Sequence, residues 1–134
     1  MLSPSLATVR LFLHVLAATV WVGGQIVLSG LVPSLRAAGP EVVRAAARRF
    51  NRLAWPAFAV LVATGIWNLL DIDVADRSTA YHATLGVKLL VVAVSGVAAA
   101  LHAGARSRVA LAAWGAVSGL SALGALWLGV SLDG

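Results

Sequence analysis

The sequence predicts an all-α integral membrane protein, a four-helix up-down bundle built as one domain. Three observations lead there. Of the 134 residues, 60% are hydrophobic and 11% charged, with a mean hydropathy of +0.93, whereas a soluble domain has about 25% charged residues. Four apolar runs, over residues 7–31, 53–70, 83–103 and 109–130, use most of the chain, and each approaches the roughly 20 residues that a membrane-spanning helix needs. The connections between the runs alternate basic, acidic, basic.

The first run, 7–31, is bounded by Pro33. It is too long for the apolar stretch of a secretory signal and has no basic segment before it, so it is expected to stay as a span. The connection that follows carries Arg36, Arg44, Arg48, Arg49 and Arg52 against Glu41 alone. Gly39-Pro40-Glu41 reads as a helix start, with proline in the first turn and an acid at the positive end of the dipole. Val43, Ala47, Phe50 and Ala54 share one face of that helix, and Arg44, Arg48 and Arg52 another. Such a basic amphipathic segment suits the inner leaflet, whose lipids are anionic. Orientation and anchoring are its ordinary reading, and partner docking is the alternative. Pro56 marks the entry to the second run, 53–70, where a kink is expected.

Asp71, Asp73 and Asp76, with Arg77, make the second connection acidic. Arg106 and Arg108 make the third basic, between the runs 83–103 and 109–130. In a four-span bundle the first and third connections lie on one side. Both are basic, so that side is cytoplasmic, and both termini lie outside a cell membrane of the inner or plasma type. Arg10 is the exception. The net charge of +5 therefore reports orientation rather than nucleic-acid binding. The absence of cysteine excludes disulfides, thiolate metal sites and iron–sulfur clusters with cysteine ligands.

Every span carries polar residues. Span one has His14, Trp21 and Gln25; span two has Thr64, Asn68 and then Asp71. Span three has Lys88, Ser95 and His102, at spacings of seven that return to nearly one helix face, and span four has Trp114, Ser118 and Ser121. A lysine within a span costs roughly 2.5–3.5 kcal/mol to insert, which makes Lys88 the foremost candidate. At the helical rise, His14 lies roughly 10 Å below the outer surface and Lys88 roughly 8 Å, with Gln25 and His102 roughly 27 Å down. That sorts the polar groups into an outer layer (His14, Asn68, Lys88, His82) and an inner one. Each has an ordinary reading too. Lys88 snorkels, His14 is a hydrogen-bonded bundle histidine, His102 faces head groups, and His82 sits at the interface. Trp55, Trp67, Trp114 and Trp127 read as belt anchors. Gly115 to Gly119 fits the GxxxG pattern of close helix packing.

The stretch His14-Val-Leu-Ala-Ala-Thr-Val-Trp21-Val-Gly-Gly24 resembles the first-span motif of the copper-resistance D (CopD) membrane family. Thr79-Ala-Tyr81-His82-Ala-Thr-Leu-Gly-Val-Lys88-Leu89 resembles that family's entry to a later span, with His82 where a glycine is expected. Arg48-Arg49-Phe50 and Thr64-Gly65 also fit. The same features are similar to the related HemJ-type protoporphyrinogen oxidases, small four-helix membrane proteins. The resemblance implies that His14 and Lys88 are the functional residues.

The chemistry this leaves is heme or copper. Copper transport favours thiolate or thioether ligands, and the only methionine is Met1. Heme b needs one or two axial ligands and an apolar pocket with a few polar groups, which His14 with Lys88, Arg10 and His82 would meet. His14 and His82 are the candidate metal ligands, Trp21 the pocket floor, and Asn68 and Lys88 its polar mouth. His14 and His102 differ in depth by roughly 18 Å, too far to share one heme. Three readings follow: a heme- or copper-binding redox protein, with a porphyrin-processing enzyme as a special case; a small copper transporter; and an accessory subunit of a larger membrane complex. Membrane lipids are the expected surroundings, with a homo-oligomer or larger assembly as partner.

Overall fold

The computed structural model describes residues 3–133. They are helical apart from short connections, and they fall into two compact units divided after Ile72. Four helical stretches are long and apolar enough to cross a membrane: Leu6–Ala38, Pro40–Asp71, Thr79–Gly104 and Arg108–Asp133.

In the first unit, Ser5 caps helix α1 (Leu6–Ala18), accepting from the Thr8 amide while the Thr8 hydroxyl accepts from the Ser5 amide. That reciprocal pair satisfies two of the donors that every helix start leaves open. A π-helical turn, Thr19–Gly23, joins α1 to α2 (Gly24–Ala38) without breaking the rod. Pro33 does not end this stretch as the sequence suggests, because α2 continues through it. One missing amide weakens a single turn. The stop is Gly39, whose φ of 122° is a conformation that residues with a side chain avoid.

Helix α3 (Pro40–Asp71) begins at the next residue, with proline in its first turn and Glu41 beside it. The helix expected in the first connection is thus present. It is fused to the second apolar run as one 32-residue helix that passes through Pro56. The two stretches run antiparallel: Arg10 meets Asp71, His14 meets Thr64, Trp21 meets Phe58, and Phe50 lies against Gly24. A Cβ added at Gly24 would come 2.7 Å from the Phe50 ring, so the glycine is what lets these helices approach.

The second unit is a hairpin of α4 (Thr79–Gly104) and α5 (Arg108–Asp133). Ser78 caps α4 through the Tyr81 amide, and Ser107 caps α5 through the Ala110 amide. Its contact seam is made of small residues. Ser95, Gly96, Ala98, Ser118 and Ala122 are all buried. The Ser95 hydroxyl donates to the Ser118 carbonyl at 3.0 Å, and the Ser118 hydroxyl donates to the Ser95 carbonyl at 3.1 Å. Small residues permit this approach, and hydroxyls bonded across it hold two apolar helices together.

Large apolar side chains point outward instead. Leu6, Phe12, Leu53, Leu70, Val109, Leu120 and Trp127 are 62% to 82% exposed. Among the described residues, the packed interior consists of alanine, serine and threonine with Gly96, Val22 and Trp21.

Candidate functional site

The polar residues of the first unit lie along the seam between α1 and α3. His14, half-buried, brings its Nδ1 to 2.8 Å from the Thr64 hydroxyl. Thr64 is buried, and its hydroxyl lies 2.7 Å from the Val60 carbonyl and 3.2 Å from that of Leu61. A hydroxyl has one proton to give. Directed into the preceding turn of its own helix, that proton leaves the Thr64 oxygen to accept from His14 Nδ1–H. The imidazole is then the Nδ1–H tautomer, with its lone pair on Nε2. Gly65 lies beside the ring, where an added Cβ would make ordinary contact with His14 Cε1 at 3.5 Å. Thr64 thus supplies a partner for His14, with Gly65 in contact beside it.

One turn nearer the chain start, Arg10 pairs with Asp71 at 2.5 Å and lies over the Trp67 ring, 5.8 Å from its centroid. The arginine side chain is 13% exposed and the aspartate 54%. Arg10 Nε is buried without a hydrogen-bond partner. Asp71 closes α3 at the negative end of its dipole, an unfavourable place for an acid that a guanidinium offsets. Arg10 is therefore no stray charge. Its spacing of four from His14, matched on α3 by Thr64 and Asp71 seven apart, is the signal that an antiparallel pairing of the two runs would have revealed.

Deeper along the seam, Trp21 sits within the π-helical turn. It is 3% exposed and packs on Phe58 and Trp55, with ring centroids 4.4 and 5.5 Å away. Gln25 Nε2 donates to the Trp21 carbonyl at 3.0 Å. Trp55 joins this inward cluster rather than serving only as a belt residue. Asn68 is half-buried one turn beyond Thr64.

Lys88 and His82 belong to the second unit. The residues Lys88, Ser95 and His102 do share a face, and it is the face turned to α5. Lys88 Nζ lies against Gly129, where an added Cβ would be 3.1 Å away. Ser95 bonds Ser118. The His102 Nδ1–H donates to the Leu111 carbonyl at 2.8 Å, and its ring rests on Gly115, where a Cβ would come 3.1 Å from Nδ1. His82 donates from Nε2 to the Val74 carbonyl at 2.7 Å, tying down the loop before α4. Arg77 lies over the Tyr81 ring beside it, 5.2 Å from its centroid.

Among the described residues, no three or more His, Cys, Asp or Glu gather as a metal site. Comparison with known proteins adds no relative: no family model matches the chain, and neither a curated protein nor a solved structure matches it.

Proposed function

We propose that this chain is a multi-pass protein of the inner or plasma membrane, with both termini outside, and that it binds heme at His14. The membrane reading is supported by four long apolar helices and by the breadth of their exposed apolar surface, which water would penalise by about 25 cal/mol per Å². The orientation is supported by the basic, acidic, basic order of the connections.

The observation that carries the site is the chain of bonds from His14 Nδ1–H to Thr64 and on to the Val60 carbonyl. Ligating histidines are held this way: one ring nitrogen donates to a fixed acceptor, and the other offers its lone pair. The donor set suits heme better than copper. Heme asks for one axial imidazole in apolar surroundings, whereas copper would draw on several ligands in a chain with no cysteine. Arg10 Nε, buried and still to be satisfied, is the donor that would take a propionate. Heme held there would supply one-electron chemistry. The likeness of His14 to Gly24, and of Thr79 to Leu89, to CopD and HemJ-type proteins points the same way and adds Lys88 as a second functional residue.

The test is an absorption spectrum with metal analysis on the protein purified in mild detergent and supplied with hemin. A Soret band is expected in the wild type and in His102→Ala, and its loss in His14→Ala. A wild type that takes up neither heme nor copper refutes the site. A second reading, an accessory subunit, is favoured by two open apolar grooves. One, of about 240 Å³, is lined by Leu13, Leu16, Val20, Pro56 and Val60. The other, of about 310 Å³, is lined by Val94, Val97, Leu101, Trp114 and Val117. Co-purification of large membrane partners in mild detergent supports that reading.

A further inference from the structure

Helix α3 is longer than a membrane crossing requires, and its surplus is basic. Its apolar part, 53–70, spans about 27 Å at the helical rise, close to the roughly 30 Å of a hydrocarbon core. Arg52 therefore falls at the boundary, with Arg48 and Arg49 within about 6 Å beyond it. That is the depth of the lipid phosphates, since the head groups add roughly 5–7 Å on each side.

The segment is fixed in rotation. Phe50 is seated on Gly24 of α2, and Ala54 is 1% exposed. Arg48, Arg49 and Arg52 lie on the remaining arc and are exposed. The neighbouring Arg44 is engaged by Glu41 at 2.7 Å. Among the described residues, none of Arg48, Arg49 and Arg52 has a carboxylate within 4.0 Å. Across residues 36–52, five arginines face one glutamate, a net charge of +4.

We infer that Arg48, Arg49 and Arg52 form a binding site for the head group of an anionic phospholipid of the cytoplasmic leaflet. Guanidinium groups bind phosphate oxygens in pairs, which gives geometry as well as charge. Two of the three stand one turn apart on one face, and the third flanks them. Mere orientation of the chain during insertion asks only for positive charge on that side. A site asks for these three positions and for arginine.

The inference rests on the membrane-spanning reading, and the experiment separates the two. The full chain is purified in dodecylmaltoside and titrated with dioleoylphosphatidylglycerol or dioleoylphosphatidylcholine, with retained lipid counted by native mass spectrometry. The wild type should retain phosphatidylglycerol in preference to phosphatidylcholine. Each arginine near anionic lipid contributes roughly a fivefold factor, so R48Q/R49Q/R52Q should bind phosphatidylglycerol about a hundredfold more weakly. R48K/R49K/R52K keeps the charge, so it should keep the preference over phosphatidylcholine, but it should bind phosphatidylglycerol more weakly than the wild type because paired bonding is gone. R106Q/R108Q, which removes basic residues from another connection, should keep it. Equal phosphatidylglycerol binding by the glutamine triple and the wild type overturns the site, as does equal loss in R106Q/R108Q. A wild type that extracts without detergent and enters neither lipid overturns the membrane reading along with it.

Discussion

Replacing Thr64 with valine tests the central bond of the proposed site at nearly constant volume. Thr64 is 4% exposed, and valine fills the same space, so no cavity opens. The Val60 carbonyl keeps the backbone bond of its own helix. What is lost is the acceptor for His14 Nδ1 at 2.8 Å. Hydrogen bonds between helices in a membrane average about 0.6 kcal/mol and reach about 1.7, so the variant should unfold slightly more easily and remain folded. The ring, however, loses the contact that fixes its tautomer and rotation. Loss of such an outer partner weakens a ligating histidine by about 10- to 100-fold. The assay is a hemin titration followed at the Soret band, with thermal unfolding measured in parallel. Thr64→Val should bind tens of times more weakly, and Thr64→Ser, which restores the hydroxyl, should recover most of the affinity. Wild-type affinity in the valine variant would show that Thr64 does not orient His14 for a ligand.

A cysteine placed at Ser78 should react with an impermeant reagent added outside, and one at Ala38 should not; the reverse pattern inverts the orientation. Lys88→Met should leave the α4–α5 hairpin folded, because the side chain lies along α5 at Gly129; a loss of helix content by circular dichroism in detergent would refute this. Ser95→Ala and Ser118→Ala should each lower stability to denaturing detergent by about 0.6 kcal/mol, and no more than about 1.7, while Ser95→Leu, placed where 1% of the residue is exposed, should disrupt the hairpin.

The helices were legible because their signal is composition and length, which a bilayer-like run expresses in every residue. The boundaries were less so. Pro33 looked like a terminus because proline lacks an amide, yet the turns around it keep their bonds and α2 ends at Gly39. The fusion of the basic segment with the second run into α3 was hidden for a related reason. Charge divides the segment from the run, but Leu53, Ala54 and Trp55 are as compatible with helix as Ala45, Ala46 and Ala47 are. The π-helical turn at Thr19–Gly23 has no composition cue beyond its paired glycines.

The site was legible only residue by residue. The spacing of Lys88, Ser95 and His102 places them on one helix face, and they share one. Spacing alone does not say what that face meets. In the hairpin it meets α5, and the matching stripe of Leu111, Gly115, Ser118 and Gly129 receives them. Polar atoms in an apolar helix must be bonded wherever they end up, and a neighbouring backbone carbonyl satisfies Ser95 and His102 as well as a cofactor would. His14 differs in this respect. Its partner is a buried side-chain hydroxyl on the facing helix, within the α1–α3 seam, whereas His102 is exposed and bonds a backbone carbonyl near the turn of its hairpin. On that ground a function for His14 is a stronger inference than one for His102, although the two residues are the same kind of histidine in the same kind of helix.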